Sequence, residues 1–295
     1  MVTTVDINEQ GIIAKLFLPR TNEPRPAVIV LSGSTGGFYE SVAHVLASEG
    51  YVALALAYFN ADGLPKNLEN VSLEYFLNAI RWLKVHSKVR SKHIHLYGVS
   101  RGGELAVLLA STFPEEITST VAVVPSCVTY GGVPNVTKPS WTFKNEPLPM
   151  APSPERNDEL KQLKTHKSVI LTQLFLEKIH NNQKEFDAAI IKVEKIRCPL
   201  LIVSGKDDKM WPSSLYGNII MQRLDACLSP IFRKHLSYEG AGHMILPSLA
   251  PIMTEAQKHP ITGLSYEVGG NSQAQATANK DSWKQILDFL AHFSR

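Results

Sequence analysis

Three features are scarce or missing, and each removes a class of protein. Only three cysteines occur in 295 residues, Cys127, Cys198 and Cys227. An odd, scattered set builds no disulfide framework and fits a reducing compartment, with all three read as small apolar side chains. No segment approaches the roughly 20 uninterrupted apolar residues of a membrane helix. The opening residues Met1 to Asp6 carry neither a basic flank nor an apolar signal core, so a soluble, cytoplasmic chain is expected. Charge of one sign is missing too: 30 Lys and Arg stand against 27 Asp and Glu, with no basic block and no aromatic-basic interleaving. That excludes nucleic acid as the expected partner and leaves room for a mildly basic rim around an anionic ligand. Repeats and low-complexity tracts are absent, and a monomer or homodimer that binds a small molecule is expected.

What is present suits one large α/β domain over 1–295, with 44% hydrophobic and 19% charged residues. Residues 2–7 and 11–18 predict an antiparallel hairpin closed at Asn8-Glu9-Gln10-Gly11. Then short apolar runs at 27–31 and 51–57 flank a helix at 41–48, which is a β-α-β unit of strands buried on both faces. Leu73, Phe76, Leu77, Ile80 and Leu83 recur at helical spacing before a strand at 93–96, and 121–124 forms the next strand. From 126 to 197 the alternation lapses into a stretch rich in Pro, Asn, Lys and Glu, with one helix predicted at 171–179. No core is expected from this stretch, and its length points to a cover over a site. Strands resume at 199–204 and 235–238 around a helix at 216–224, and an amphipathic helix at 281–293 closes the chain with Asp281 as its N-cap. Alternation of this kind means a mostly parallel sheet with helices on both faces.

Between the strand at 93–96 and the helix-forming Glu104 to Ala110 lies Gly98-Val99-Ser100-Arg101-Gly102. Strand, G-x-S-x-G and helix make the nucleophile elbow of an α/β-hydrolase, where two glycines let the chain reverse and push the serine hydroxyl outward. A serine hydroxyl is a poor nucleophile at neutral pH, so it requires a histidine base and a carboxylate that fixes the imidazole tautomer. Both follow in hydrolase order. After the strand at 199–204 come Asp207 and Asp208, of which Asp208 is preferred, the other being a turn former. After the strand at 235–238 comes His243, flanked by small residues. An acid after the strand that follows the elbow is excluded, because no Asp or Glu occurs between Glu116 and Glu146. The oxyanion that forms on attack needs backbone donors. One is Arg101, which follows the nucleophile, and the other is Ser34 or Thr35 in the loop Ser32-Gly33-Ser34-Thr35-Gly36-Gly37. Gly33 and Gly36 allow close approach of substrate there, and Trp211 stands near enough to the acid to touch it, although burial is the plainer role for a tryptophan.

Rival readings of the same residues are weaker. The glycines at 33–37 lack the Walker lysine and do not match G-x-G-x-x-G. His93 and His95 share a strand face, but two ligands without a third make no metal site, and strand-edge packing accounts for them. No metal and no cofactor are expected.

At this point the residues resemble a known family, the acyl-CoA thioesterases and bile acid-CoA:amino acid N-acyltransferases, in their C-terminal catalytic domain. The matching stretches are Leu54 to Asn60 with Leu64-Pro65-Lys66, Leu73-Glu74-Tyr75-Phe76, Gly98 to Glu104, Gly205 to Trp211, Gly242-His243, Gly269-Gly270 and Asp281-Ser282-Trp283-Lys284-Gln285. The resemblance implies a Ser-Asp-His site acting on acyl-CoA thioesters, and Ser100, Asp208 and His243 fall on the matching positions. The conjugating branch looks to use cysteine where this chain has Ser100, which points to water as acceptor and hydrolysis as the activity. Animal members also carry an N-terminal β-sandwich domain, for which the lead before Pro26 leaves no room. Lys206, Lys209, Lys138 and Lys144 are candidate contacts for CoA phosphates by loop position. Two alternatives stay open: a carboxylesterase in the manner of dienelactone hydrolases, and a non-catalytic binding protein on a hydrolase fold.

Overall fold

Strands that are apolar at every position end up inside the sheet, and those that alternate end up at its rim. In the computed structural model, which describes residues 2–248 and 250–295, the eight main strands are β1 (Thr3–Glu9), β2 (Ile12–Leu18), β3 (Arg25–Leu31), β4 (Val52–Leu56), β5 (Val89–Val99), β6 (Ser119–Val123), β7 (Leu200–Gly205) and β8 (Arg233–Tyr238). They lie in the order β1-β2-β4-β3-β5-β6-β7-β8. β2 pairs antiparallel with β1 and β4, and every later pair is parallel. The predicted hairpin is there. Gln10 and Gly11 turn it with φ of 51° and 75°, the conformation whose twist suits a two-residue hairpin loop.

Alternate residues of the buried strands feed two cores. Ile29, Leu31, Leu54 and Leu56 face one cluster, and Val28, Val30, Ala53 and Ala55 face the other. Among the described residues eight α-helices complete the fold: α1 (Glu40–Ser48), α2 (Leu73–Val85), α3 (Arg101–Thr112), α4 (Arg156–Gln162), α5 (Leu171–Asn181), α6 (Gln183–Ala188), α7 (Ser213–Ala226) and α8 (Ser272–His292). α2, α3 and α7 cover the first face, and α1 and α8 the second. No described helix is long and apolar enough to cross a membrane.

Four expectations require correction. β5 lies between β3 and β6 in the sheet interior, so its histidines are not strand-edge residues. His95 is buried, and its ring nitrogens meet Ser119 Oγ at 2.8 Å and Ser294 Oγ at 3.0 Å. Burial, with His93 adding to it, pushes its pKa down to about 3. The 126–197 stretch contains α4 and α6 besides the predicted α5, with short strands at Trp141–Phe143 and Glu146–Pro147. It also contributes Val128, Tyr130, Trp141, Phe186 and Ile191 to the larger core, because irregularly spaced apolar residues show no period yet still find a packing partner. The closing helix starts at Ser272, where the Asn271 side chain accepts from Ala274 N at 3.0 Å. Asp281 lies inside that helix and accepts from the Tyr238 hydroxyl at 2.6 Å. The first turns were invisible to an apolar period because the residues they bury include Gln275 and Asn279. Finally, Cys127 and Cys198 are buried as expected, but Cys227 is exposed at the end of α7.

Candidate active site

The elbow is built by close approach of backbone to backbone. A Cβ on Gly98 would lie 1.9 Å from Gly102 O, and one on Gly102 would lie 2.3 Å from Ser32 O, so no other residue fits either place. Between them Ser100 holds φ 57° and ψ −119°, a strained combination for a residue with a side chain. Its amide donates to Val123 O at 2.9 Å, which pins the bend to the neighbouring strand.

His243 Nε2 lies 2.9 Å from Ser100 Oγ, and His243 Nδ1 lies 2.9 Å from Asp208 Oδ2. All three predicted side chains therefore meet in one line. Asp208 is 4% exposed and His243 6%. Asp208 is held at four points: Oδ1 accepts from Met210 N at 2.9 Å and Trp211 N at 3.2 Å, and Oδ2 accepts from Ser213 Oγ at 2.6 Å as well as from the imidazole. Asp207 points elsewhere. It is half-exposed, pairs with Lys209 at 2.5 Å and accepts from Gly270 N at 2.9 Å.

The histidine loop hangs on residues that the sequence did not single out. His243 N donates to Val268 O at 2.7 Å. Gln275, fully buried at the start of α8, accepts from Gly242 N at 2.9 Å and donates to Met244 O at 2.9 Å. Asn279, one turn on, accepts from Leu246 N at 3.1 Å. A polar pair at i and i+4 on a buried face was the only available signal. The Gly269-Gly270 segment closes the stack, since Asp208 and Gly269 form a bridge.

Beside Ser100 opens a cavity of about 430 Å³. Its wall takes Tyr130, Val133 and Phe175 from the cover, Trp211 from the acid loop, and Ile261 and Tyr266 from the segment before α8. The cover reading thus describes half of the wall; the 259–266 part was missed. Trp211 serves both roles considered for it: it lines the cavity, donates Nε1–H to Val124 O at 3.0 Å, and sets its ring 6.0 Å from that of His243. Of the loop residues, Ser34 and Arg101 line the cavity. Thr35 does not; its carbonyl accepts from Asn60 Nδ2 at 2.8 Å. Gly33 lies against Ser100, while Gly36 packs on Phe59 and Asn60. None of the four lysines reaches the cavity, and Lys206 and Lys209 are paired with Glu239 and Asp207. Besides Arg101, Arg156 from the cover lines the wall.

Arg101 ties the Gly98–Gly102 elbow to the cover. Its backbone belongs to the elbow, while its guanidinium meets Glu104 Oε2 at 2.6 Å, Tyr130 O at 3.0 Å, Gly131 O at 3.1 Å and Ser140 Oγ at 2.5 Å. Glu104 is fully buried and also accepts from Trp141 Nε1 at 2.8 Å. Burial lifts its carboxyl to about 7, against the opposing pull of Arg101.

This arrangement can be set beside known proteins. A family model described as BAAT / acyl-CoA thioester hydrolase C terminal matches residues 71–294. Mouse acyl-coenzyme A thioesterase 1 is 33% identical over 289 residues, covering 98% of this chain and 65% of that protein. Human acyl-coenzyme A thioesterase 6 is 35% identical over 278 residues, covering 94% and 62%. The chain therefore spans less than two thirds of the length of these relatives. Among solved structures, a dienelactone hydrolase-like promiscuous phosphotriesterase from metagenomic libraries superposes with a TM-score of 0.58 at 16% identity, covering 99% of this chain and 98% of that one. An alpha/beta hydrolase from a deep-sea metagenome library gives 0.55 at 16% identity, covering 98% and 97%. At that identity the likeness bears on fold alone, and the fold is the α/β-hydrolase one.

Proposed function

Because the chain belongs to the BAAT / acyl-CoA thioester hydrolase C-terminal family, we propose that it is a serine hydrolase that cleaves acyl-CoA thioesters to the free acid and CoA. The observation that carries this reading is the line Asp208–His243–Ser100, two 2.9 Å contacts beside a largely apolar cavity. His243 Nε2 takes the Ser100 proton as Oγ attacks the thioester carbonyl, and Asp208 keeps hydrogen on Nδ1 and offsets the imidazolium charge. The oxyanion falls to the main-chain N–H groups of Arg101 and Ser34. Collapse breaks the C–S bond, and His243 returns its proton to the departing sulfur. Water then attacks the acyl-enzyme, giving a proton to His243; the carboxylic acid leaves and Ser100 Oγ regains its hydrogen. Phe175, Trp211 and Val133 offer the apolar wall that an acyl chain requires. Serine at position 100 supports water as acceptor, since an oxygen-ester intermediate yields to amines less readily than a thioester one.

Thiol release from a series of acyl-CoA esters, read with a chromogenic disulfide, tests the reading with Ser100→Ala as control. Release above that control is expected. Its absence, with p-nitrophenyl esters turned over, would move the assignment to a carboxylesterase, and failure of a fluorophosphonate to label Ser100 would remove the serine mechanism altogether.

A further inference from the structure

His259 is a second buried histidine at the site, and the mechanism above leaves it unused. It lines the same cavity as Ser100 and His243. Its two ring nitrogens are told apart by their neighbours. Nδ1 faces the backbone N–H groups of Ile261 and Thr262, each at 3.3 Å. Both are donors, so Nδ1 carries the lone pair and the ring hydrogen sits on Nε2. Nε2 lies 3.0 Å from Ser34 Oγ, so the imidazole donates and the hydroxyl oxygen accepts. Burial lowers the pKa of this histidine, with a hydrogen bond to the Ser34 main chain opposing, which favours the neutral ring. The hydroxyl hydrogen of Ser34 must then point away from His259, and Ser34 Oγ has no other hydrogen-bond partner among the described residues. Ser34 lines the same cavity as Ser100, and on the preceding Gly33 a Cβ would lie 3.8 Å from Ser100 Oγ, so this loop forms the wall beside the serine hydroxyl.

We propose that His259 is a positioning residue that turns the Ser34 hydroxyl into a third donor to the developing oxyanion, beside the main-chain N–H groups of Arg101 and Ser34. The inference rests on the serine-hydrolase reading but not on CoA as the leaving group. Two measurements test it: kcat and KM for ester or thioester hydrolysis, and the second-order rate at which a fluorophosphonate, whose P=O oxygen occupies the same place, labels Ser100. Ser34→Ala keeps the backbone amide and removes only the hydroxyl. It is expected to lower kcat and the labelling rate about 10²-fold, the scale of losing one oxyanion donor, with KM within about twofold. His259→Phe keeps a ring packed on Tyr266 and is expected to lose about tenfold in the same two rates, with His259→Gln, which retains an N–H, recovering most of it. The double variant is expected to be no slower than Ser34→Ala, because the histidine acts through that hydroxyl. Ser34→Ala within about twofold of wild type in both rates overturns the proposal, as does a double variant in which the two losses multiply. If His259→Phe fails to fold, Ser34→Ala decides alone. Wild type that is labelled and hydrolyses p-nitrophenyl esters but not acyl-CoA refutes the CoA reading only, and the same comparisons then judge this inference on the ester.

Discussion

Replacing Asp208 by Asn separates the proton relay from the packing that surrounds it. The four contacts on the carboxylate divide evenly between its oxygens. Oδ1 receives Met210 N and Trp211 N, and an amide oxygen accepts both without change. Oδ2 receives Ser213 Oγ and His243 Nδ1, and there the amide nitrogen donates where the carboxylate accepted. Ser213 can answer by rotating its hydroxyl. His243 can answer only by presenting a lone pair on Nδ1, which moves its hydrogen to Nε2, facing Ser100, where it can no longer take a proton. The expected loss in kcat is about 10⁴-fold, or about 5.4 kcal/mol at roughly 1.36 kcal/mol per decade. Folding stability should fall by only about 1–2 kcal/mol, the difference between charge-assisted and neutral hydrogen bonds. Steady-state thiol release and urea denaturation read the two quantities, and the ¹⁵N shifts of His243 read the tautomer directly. Asp207→Asn is the matched control: its salt bridge is half-exposed, and kcat should stay within about threefold. An Asp208→Asn enzyme within tenfold of wild type, or no slower than Asp207→Asn, would refute the reasoning.

Three further outcomes follow from the same geometry. Gln275→Leu leaves Gly242 N and Met244 O without their partners in a buried place, so it should cost about 2–4 kcal/mol in urea denaturation and lower kcat; an unchanged midpoint would count against the clasp. Ser100→Gly relieves the φ of 57° that Ser100→Ala retains, so although both are inactive the glycine variant should be more stable by about 1 kcal/mol, and a lower Tm than Ser100→Ala would contradict this. Glu104 is lifted from 4.5 to about 7 when folded. Between those values the native state therefore holds a proton that the unfolded chain has released, and stability falls as pH rises through that window, by no more than about 3 kcal/mol. Glu104→Gln should flatten that slope, and an identical slope in the variant would show that another group is responsible.

That Ser100, Asp208 and His243 come together was legible because each obeys a local rule. Gly98 and Gly102 are excluded from bearing a Cβ by contacts within a few residues of chain or with the adjoining strand loop, and the acid and histidine each follow a recognisable strand. The choice between Asp207 and Asp208 was harder, since it depends on which carboxylate turns toward His243 and which toward Gly270, partners remote in sequence. The cavity wall was only half legible. Tyr130 sits between Thr129 and Gly131, Phe175 is buried while its neighbours Leu174 and Leu176 are not, and His259 is placed against Ser34 across 225 positions. Thr35 and Gly36 lie outside the cavity lining, since small residues in a loop serve a turn as readily as a ligand, and Lys206 and Lys209 pair with carboxylates that loop position does not reveal.

The dependence of the histidine loop on Gln275 and Asn279 has a temporal side. A nascent chain can assemble the bend that bears the hydroxyl long before α8 emerges, yet Gly242 N and Met244 O, on either side of the imidazole, gain their Gln275 partner only when that helix packs down. In refolding, the return of turnover should therefore lag behind the return of sheet signal, timing the docking of α8.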